Sequence, residues 1–281
     1  MGHTIVEKII SRHVGKAVNA DELVVVPVDG TLASDTTAPL AITAFKSMGG
    51  KRLWDPEKCF LVLDHATPAP NATTANLHNL IRGFAAEQDC LLYEGGSGIC
   101  HQLMVENKHV QPGAIISGAD SHTCTYGAVG ALGIGVGSTD LAAVWRTGKI
   151  WLRVPQSILI RLNGRKPADI SGKDIVLSLL AETGIAGATY QAMEFWGEAV
   201  PSISLASRMT IANMAIEAGA KTCFFSPDGQ GQPELEDLLS PAPEGSYKQI
   251  IDLDCSEIVP MVSQPHSPAM ARPVKEIEGL E

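Results

Sequence analysis

Two short apolar runs in this chain each end in an acid with a histidine close behind it. Cys59-Phe60-Leu61-Val62-Leu63 leads into Asp64-His65, and Ala114-Ile115-Ile116 leads through Ser117-Gly118-Ala119 into Asp120-Ser121-His122. Apolar runs of this length, bounded by glycine and polar residues, read as buried strands. Between them, Glu94-Gly95-Gly96-Ser97-Gly98-Ile99-Cys100-His101 carries a third histidine behind a glycine cluster. If these strands lie parallel in one sheet, all three loops emerge at the same carboxyl edge, where open α/β sheets bind ligands. Gly127, Gly130, Gly133, Gly135 and Gly137 follow the second motif and allow close approach of backbone to a ligand. Singly, a strand-end aspartate is often a helix cap and a histidine a packed polar residue. Two such Asp-His pairs plus a glycine-flanked histidine favour a site for acid–base chemistry.

The rest of the chain alternates strand-like and helical stretches. Strands are expected over Leu23–Val28, Phe60–Leu63, Leu91–Tyr93, Ala114–Ser117, Ser157–Leu162, Thr222–Phe225 and Gln249–Asp254. Helices are expected over the first 13 residues, Leu40–Met48, Asn76–Glu87, Thr139–Thr147, Gly172–Glu182 and Ser207–Ala218, with Gly148, Gly184 and Gly219 as stops. Thr4 as N-cap with Glu7 three residues on is a capping box. Pro27 points the first strand to an edge or loop. Residues 226–246, rich in Pro, Gly, Glu and Ser, read as an exposed connection. The alternation predicts an α/β class with mostly parallel sheets. At 281 residues two domains are expected, one over 1–155 carrying the Asp/His motifs and one over 156–281, divided near Val154-Pro155.

Composition narrows the function classes. Net charge is −10 and no basic run stands out, which argues against nucleic-acid binding. No apolar run reaches the roughly 18 residues of a membrane helix, and the first residues do not look like a signal peptide. Val6 also stands where an N-myristoylation signal needs serine or threonine. A soluble, cytoplasmic protein with no membrane partner is expected. The six cysteines, Cys59, Cys90, Cys100, Cys124, Cys223 and Cys255, contain no CxxC and read as reduced thiols. None is nominated as a metal ligand by its spacing.

The ordered motifs Asp64-His65, Gly96-Ser-Gly-Ile-Cys-His-Gln102, Gly118-Ala-Asp-Ser-His-Thr-Cys-Thr-Tyr-Gly127 and Arg208-Met-Thr-Ile-Ala-Asn-Met-Ala-Ile-Glu-Ala-Gly219 resemble the aconitase superfamily. Within it they are most similar to the large subunits of 3-isopropylmalate dehydratase and homoaconitase. The likeness runs nearly end to end. It implies aconitase-like three-layer α/β/α domains and a hydro-lyase. Such an enzyme dehydrates and rehydrates a 2-hydroxy di- or tricarboxylic acid stereospecifically, as in leucine biosynthesis. The resemblance also implies a [4Fe-4S] cluster in the complete enzyme. Its partner would be a small subunit or swivelling domain that supplies a serine base.

Carried over by position, Asp64, His65, His101, Asp120 and His122 would do the acid–base and orienting work. Ser121 would bind a substrate carboxylate, and Ser34-Asp35 would open a substrate-contacting loop. Ser34 stands where aconitases proper carry glutamine, which favours a substrate other than citrate. Glu194 is assigned to the family's catalytic glutamate; its structural alternative is a surface acid on a helix. Arg208 heads a helix and is expected to be structural rather than a carboxylate clamp.

The family's cluster cysteines, one in a Ser-Cys-Thr-Asn motif and two in a CxxC, have no counterpart up to Glu281 and are expected beyond it. No metal ligand is therefore assigned within this chain. Two readings stay open. One is the N-terminal part of a cluster-dependent dehydratase, with the start of a third domain after the second and no activity alone. The other is a short relative that binds an anionic acid, or a divalent metal through its Asp/His groups.

Overall fold

A computed structural model of the chain describes residues 2–225 and 233–277. In chain order its main elements begin with α1 (Ile5–Val14), β1 (Leu23–Pro27), β2 (Gly30–Ser34), α2 (Ala38–Ser47), β3 (Cys59–Val62), α3 (Ala72–Gln88) and β4 (Leu91–Tyr93). There follow α4 (Cys100–Glu106), β5 (Ile115–Gly118), β6 (Leu132–Gly135), α5 (Ser138–Thr147), β7 (Lys149–Arg153) and β8 (Ser157–Asn163). The remainder comprises α6 (Gly172–Thr183), β9 (Ala192–Trp196), α7 (Leu205–Met214), β10 (Thr222–Phe225), α8 (Pro233–Leu238), β11 (Gln249–Asp254), β12 (Met261–Ser263) and β13 (Ala271–Pro273).

Two parallel sheets organise the molecule, as the alternation predicts. The first has five strands in the order β4-β3-β2-β5-β6, all parallel. Its inner strands β2, β3 and β5 are buried on both faces, and β3 and β5 accordingly carry continuous apolar runs. Ala33, Leu61 and Leu63 pack with Ile42 and Phe45 of α2, Phe84 of α3 and Trp145 of α5. On the opposite face Leu32, Phe60, Val62 and Ile116 pack with Leu103 and Met104 of α4 and with Tyr126. Strand order reverses between β2 and β5: the chain winds outward through β3 and β4, then returns to add β5 and β6 on the other side. A crevice opens outside the carboxyl ends of the strands at such a switch point. The residues just beyond those two ends are Asp35 and Ala119-Asp120.

The second sheet has the order β10-β9-β8-β11, again parallel. Ile158, Ile160, Phe195 and Phe225 meet α6 and α7 on one face. Ala192 and Phe224 share a core with α1 and with Ile115 and Leu132 of the first sheet on the other. The two sheets therefore pack through common apolar residues. At one contact a Cβ on Gly127 would collide with the Cys223 carbonyl, so only glycine fits.

Several expectations change. Leu23–Pro27 is a strand but joins no parallel sheet; it forms an antiparallel ribbon with β7. Glu194 lies on a strand, not a helix. The helix expected from Asn76 begins at Ala72 because Asn71 caps it, its side chain accepting the Thr74 N–H at 2.9 Å. The helix expected over Ser207–Ala218 is capped by Ser204, begins at Leu205, and tightens to a 3-10 turn over Ala215–Ala218 before Gly219. Of the stretch read as an exposed connection, residues 226–232 lie outside the described residues; beyond them Leu238 and Leu239 are buried in the core that holds α1. The capping box at Thr4 and Glu7 is present. Among the described residues no helix is long and apolar enough to cross a membrane.

Candidate active site

The switch-point crevice gathers side chains from four loops. Asp35, one residue past β2, is buried, and its carboxylate does not face solvent. Its Oδ1 accepts the His65 N–H at 3.0 Å and its Oδ2 the Ala66 N–H at 2.9 Å, with His78 Nε2 at 3.1 Å. Burial works against its charge, but those donors outweigh it and hold the carboxyl below its ordinary range. Asp35 thus builds the turn that carries Asp64-His65. Ser34 Oγ is buried and pairs with Thr36 Oγ1 at 2.9 Å.

Asp64 performs a similar service for the next loop. Its Oδ2 accepts the Cys100 N–H at 2.7 Å, and its Oδ1 lies 2.8 Å from His65 Nδ1. The first of these bonds satisfies an amide at the start of α4, which intrahelical bonding leaves open. His101, the next residue, is thereby aimed inward. Its Nδ1 lies 3.1 Å from the buried Tyr126 hydroxyl and its Nε2 3.3 Å from Asp120 Oδ1.

Asp120 is the hub. Its Oδ1 accepts the His122 N–H at 2.8 Å, and its Oδ2 lies 3.6 Å from His65 Nε2. His122 Nδ1 is 3.5 Å from the same carboxylate and 3.2 Å from Ser121 Oγ. Burial opposes the Asp120 charge, but the histidines and the His122 amide drive its carboxyl far below the usual range. The reciprocal effect falls on the imidazoles. The Asp120 hydrogen bond raises His122 against the cost of burial, with Glu217 adding to it. His65 is partly desolvated, yet Asp64, Asp120 and Asp35 raise it above its ordinary value. Both are therefore held toward the imidazolium form while about two-fifths exposed and open to a ligand.

Of the residues singled out from sequence, Asp64, His65, His101, Asp120, Ser121 and His122 come together here, and Asp35 supports them from behind. Glu194 does not join them. It is fully buried in the second sheet, where its carboxylate accepts the Ile5 N–H at 2.9 Å, the Ser157 hydroxyl at 3.1 Å and the Tyr247 hydroxyl at 2.8 Å. Burial pushes its carboxyl up to about 7 despite those donors. The acid that faces the cluster is Glu217, whose Oε1 lies 4.0 Å from His122 Nε2. Nearby, Asn213 Nδ2 donates to Thr125 Oγ1 at 3.0 Å. Both sit inside the Arg208–Gly219 motif, one helical turn apart. That spacing was the available signal, since it sets an amide and an acid on one face. The Arg208 side chain donates to the Ile203 and Val200 carbonyls at 3.0 and 3.1 Å, a structural role.

A [4Fe-4S] cluster is held by cysteine thiolates. Among the described residues, the two groups of three or more possible metal donors each contain a single cysteine, Cys100 in both. Cys59 and Cys124 are buried with thiols pushed up to about 12. The donor set of the described residues does not fit the cluster.

Comparison with known proteins agrees with this architecture. Residues 7–233 match the aconitase family (aconitate hydratase). The chain is 41% identical over 293 residues to 3-isopropylmalate dehydratase large subunit 1 of Methanopyrus kandleri, covering 100% of this chain and 69% of that protein. It is 46% identical over 292 residues to the 3-isopropylmalate dehydratase large subunit of Moorella thermoacetica, with the same coverage of 100% and 69%. The corresponding subunit of a Hydrogenobaculum species is 43% identical over 285 residues, covering 98% of this chain and 67% of that protein.

Proposed function

Given that the chain belongs to the aconitase family, a family of hydro-lyases, we propose that it binds 3-isopropylmalate or a closely related 2-hydroxy diacid and supplies the proton-handling half of its dehydration–rehydration. The observation that carries this reading is the meeting of His65, His101 and His122 around the Asp120 carboxylate at the switch point of the first sheet.

Loss of hydroxide from an sp³ carbon near neutral pH needs a proton delivered as the bond breaks. His122 serves best, because Asp120 and Glu217 keep it protonated and its side chain is about two-fifths exposed. His65, raised by Asp64 and Asp120, orients the same hydroxyl or returns the proton in the reverse direction. Tyr126 fixes the ring of His101. Ser121 Oγ, exposed beside His122, receives one substrate carboxylate. Asp64 and Asp35 act through the backbone as positioning residues.

In the complete enzyme the cluster would supply the Lewis acid, and a small-subunit partner of the kind implied by the relatives' names would supply the remaining base. The setting is cytoplasmic leucine biosynthesis.

Calorimetric titration of the chain tests this, using 3-isopropylmalate, citrate and the isopropyl-bearing diacid that lacks the hydroxyl. Preferential binding of 3-isopropylmalate, weakened roughly tenfold or more in the deoxy analogue, is expected. Equal binding of the deoxy acid, or none of the three, would overturn it.

A further inference from the structure

Beside β6, the edge strand of the first sheet, a cavity of about 480 Å³ lies between α5, β7 and the turn that precedes β9. That volume falls within the roughly 300–1,000 Å³ of small-molecule sites. The walls are mainly aliphatic, from Ile134, Val136, Val144, Ile150, Leu152 and Ile216. Of the crevice residues described above, Ser121 alone lines it. The cavity therefore adjoins the Asp120 hub without including it.

Tyr190 forms one wall and is fixed from two sides. Its hydroxyl donates to the Arg153 carbonyl at 3.1 Å and its backbone N–H to the Gly219 carbonyl at 3.0 Å. Its ring centroid lies 4.9 Å from the Arg153 guanidinium and 5.9 Å from Lys221 Nζ. Trp151 also lines the cavity yet is 68% exposed, which marks the open side.

The charged groups decide what the cavity takes. Lys149 and Lys221 outnumber Asp140 among its lining residues, in a chain of net charge −10. Lys221 is partly buried, and its Nζ donates to the Gly135 carbonyl at 2.6 Å. That bond uses one of three ammonium protons. Burial pulls the ammonium below its ordinary value; Asp140 opposes this through its field, with no hydrogen bond between them. A partly desolvated ammonium whose partner is a neutral carbonyl gains most from a carboxylate. Aliphatic walls would leave the second charge of a diacid or a phosphate unsolvated. We propose that this cavity binds an aliphatic monocarboxylate, with its carboxylate on Lys221 and its chain along Val136, Ile150 and Ile216. The claim is independent of the hydro-lyase reading, because the Asp120 hub takes no part in it.

The test is calorimetric titration of the purified chain with octanoate and with octanamide, an uncharged molecule of nearly the same size. One saturable octanoate site is expected, with octanamide at least about tenfold weaker, the least that a hydrogen bond between charged groups contributes. Lys221→Met should remove most of that preference, and Trp151→Ala, at an exposed position, should weaken both ligands. His122→Gln takes a cation from the neighbouring crevice and should leave octanoate binding unchanged. If Lys221→Met does not fold, the octanamide comparison on the parent chain and the Trp151 and His122 variants carry the test. The proposal is overturned by no saturable octanoate binding, by equal binding of octanamide, by a preference that survives Lys221→Met, or by octanoate binding that is lost in His122→Gln and kept in Trp151→Ala.

Discussion

The Asp35 carboxylate accepts the backbone N–H of His65 at 3.0 Å, across 30 residues of sequence. The acid at the end of one parallel strand thus shapes the histidine-bearing turn at the end of its neighbour. Asp35→Asn keeps the volume but leaves one acceptor oxygen, so its NH₂ must face either the His65 N–H or the Ala66 N–H with His78. A loss of about 2–4 kcal/mol is expected, measured as a lower urea midpoint, together with altered His65 resonances.

His122 titrates above the ordinary histidine value because Asp120 lies beside it. Asp120→Asn removes the charge, so the His122 pKa should fall toward 6.5, the unperturbed value. An NMR titration of the imidazole C–H signals reads this directly. An unchanged His122 titration would mean that Asp120 is not its partner. In the assembled enzyme the same substitution should cut turnover by roughly 10²–10⁴-fold.

Glu194 sets a stability trend with pH. Its folded carboxyl, raised by burial to about 7, is compared with 4.5 for the unfolded group. The folded state therefore binds the extra proton. That stability is fully present below the unfolded value, declines as pH rises between the two, and is lost above about 7. The expected size is about 3 kcal/mol. Glu194→Gln cannot ionise. Its unfolding free energy should lack this decline, so the gap between variant and parent, measured by urea denaturation from pH 5 to 8, should move in the variant's favour with rising pH.

Trp145 supports the site from behind the sheet. It stacks on Phe84 with ring centroids 5.4 Å apart and donates its indole N–H to Thr31 Oγ1 at 3.1 Å, on the strand that ends at Ser34. Trp145→Ala should destabilise by about 3–5 kcal/mol, read as a fall in thermal midpoint. Trp145→Phe should recover most of the packing term.

Legibility from sequence divides along physical lines. Strands buried on both faces, such as Cys59–Val62 and Thr222–Phe225, announce themselves as apolar runs. Helix stops were legible at Gly148 and Gly219, where glycine adopts the left-handed region, but not at Gly15, which ends α1 in the same way. β2 was missed because Gly30-Thr31-Leu32-Ala33-Ser34 owes its burial to neighbours on both sides, not to its own hydrophobicity. β6 was hidden inside the glycine run, where a Cβ at Gly133 would strike the Thr123 carbonyl. In the site, residues that carry chemistry at strand ends were visible as motifs. Glu194 was assigned by position in the resemblance alone; an acid between Met193 and Phe195 looks the same whether it faces a ligand or, as here, the buried start of a helix. Glu217 was overlooked because its partner, His122, is distant in sequence and only tertiary packing joins them.

The most direct test of the account is to saturate the isotopically labelled chain with 3-isopropylmalate and follow every histidine ring. The account predicts saturable shifts at His65, His101 and His122, with His13 and His109 unmoved. Saturable binding that leaves those three rings unperturbed would contradict it, because the acid would then bind somewhere other than the Asp120 hub.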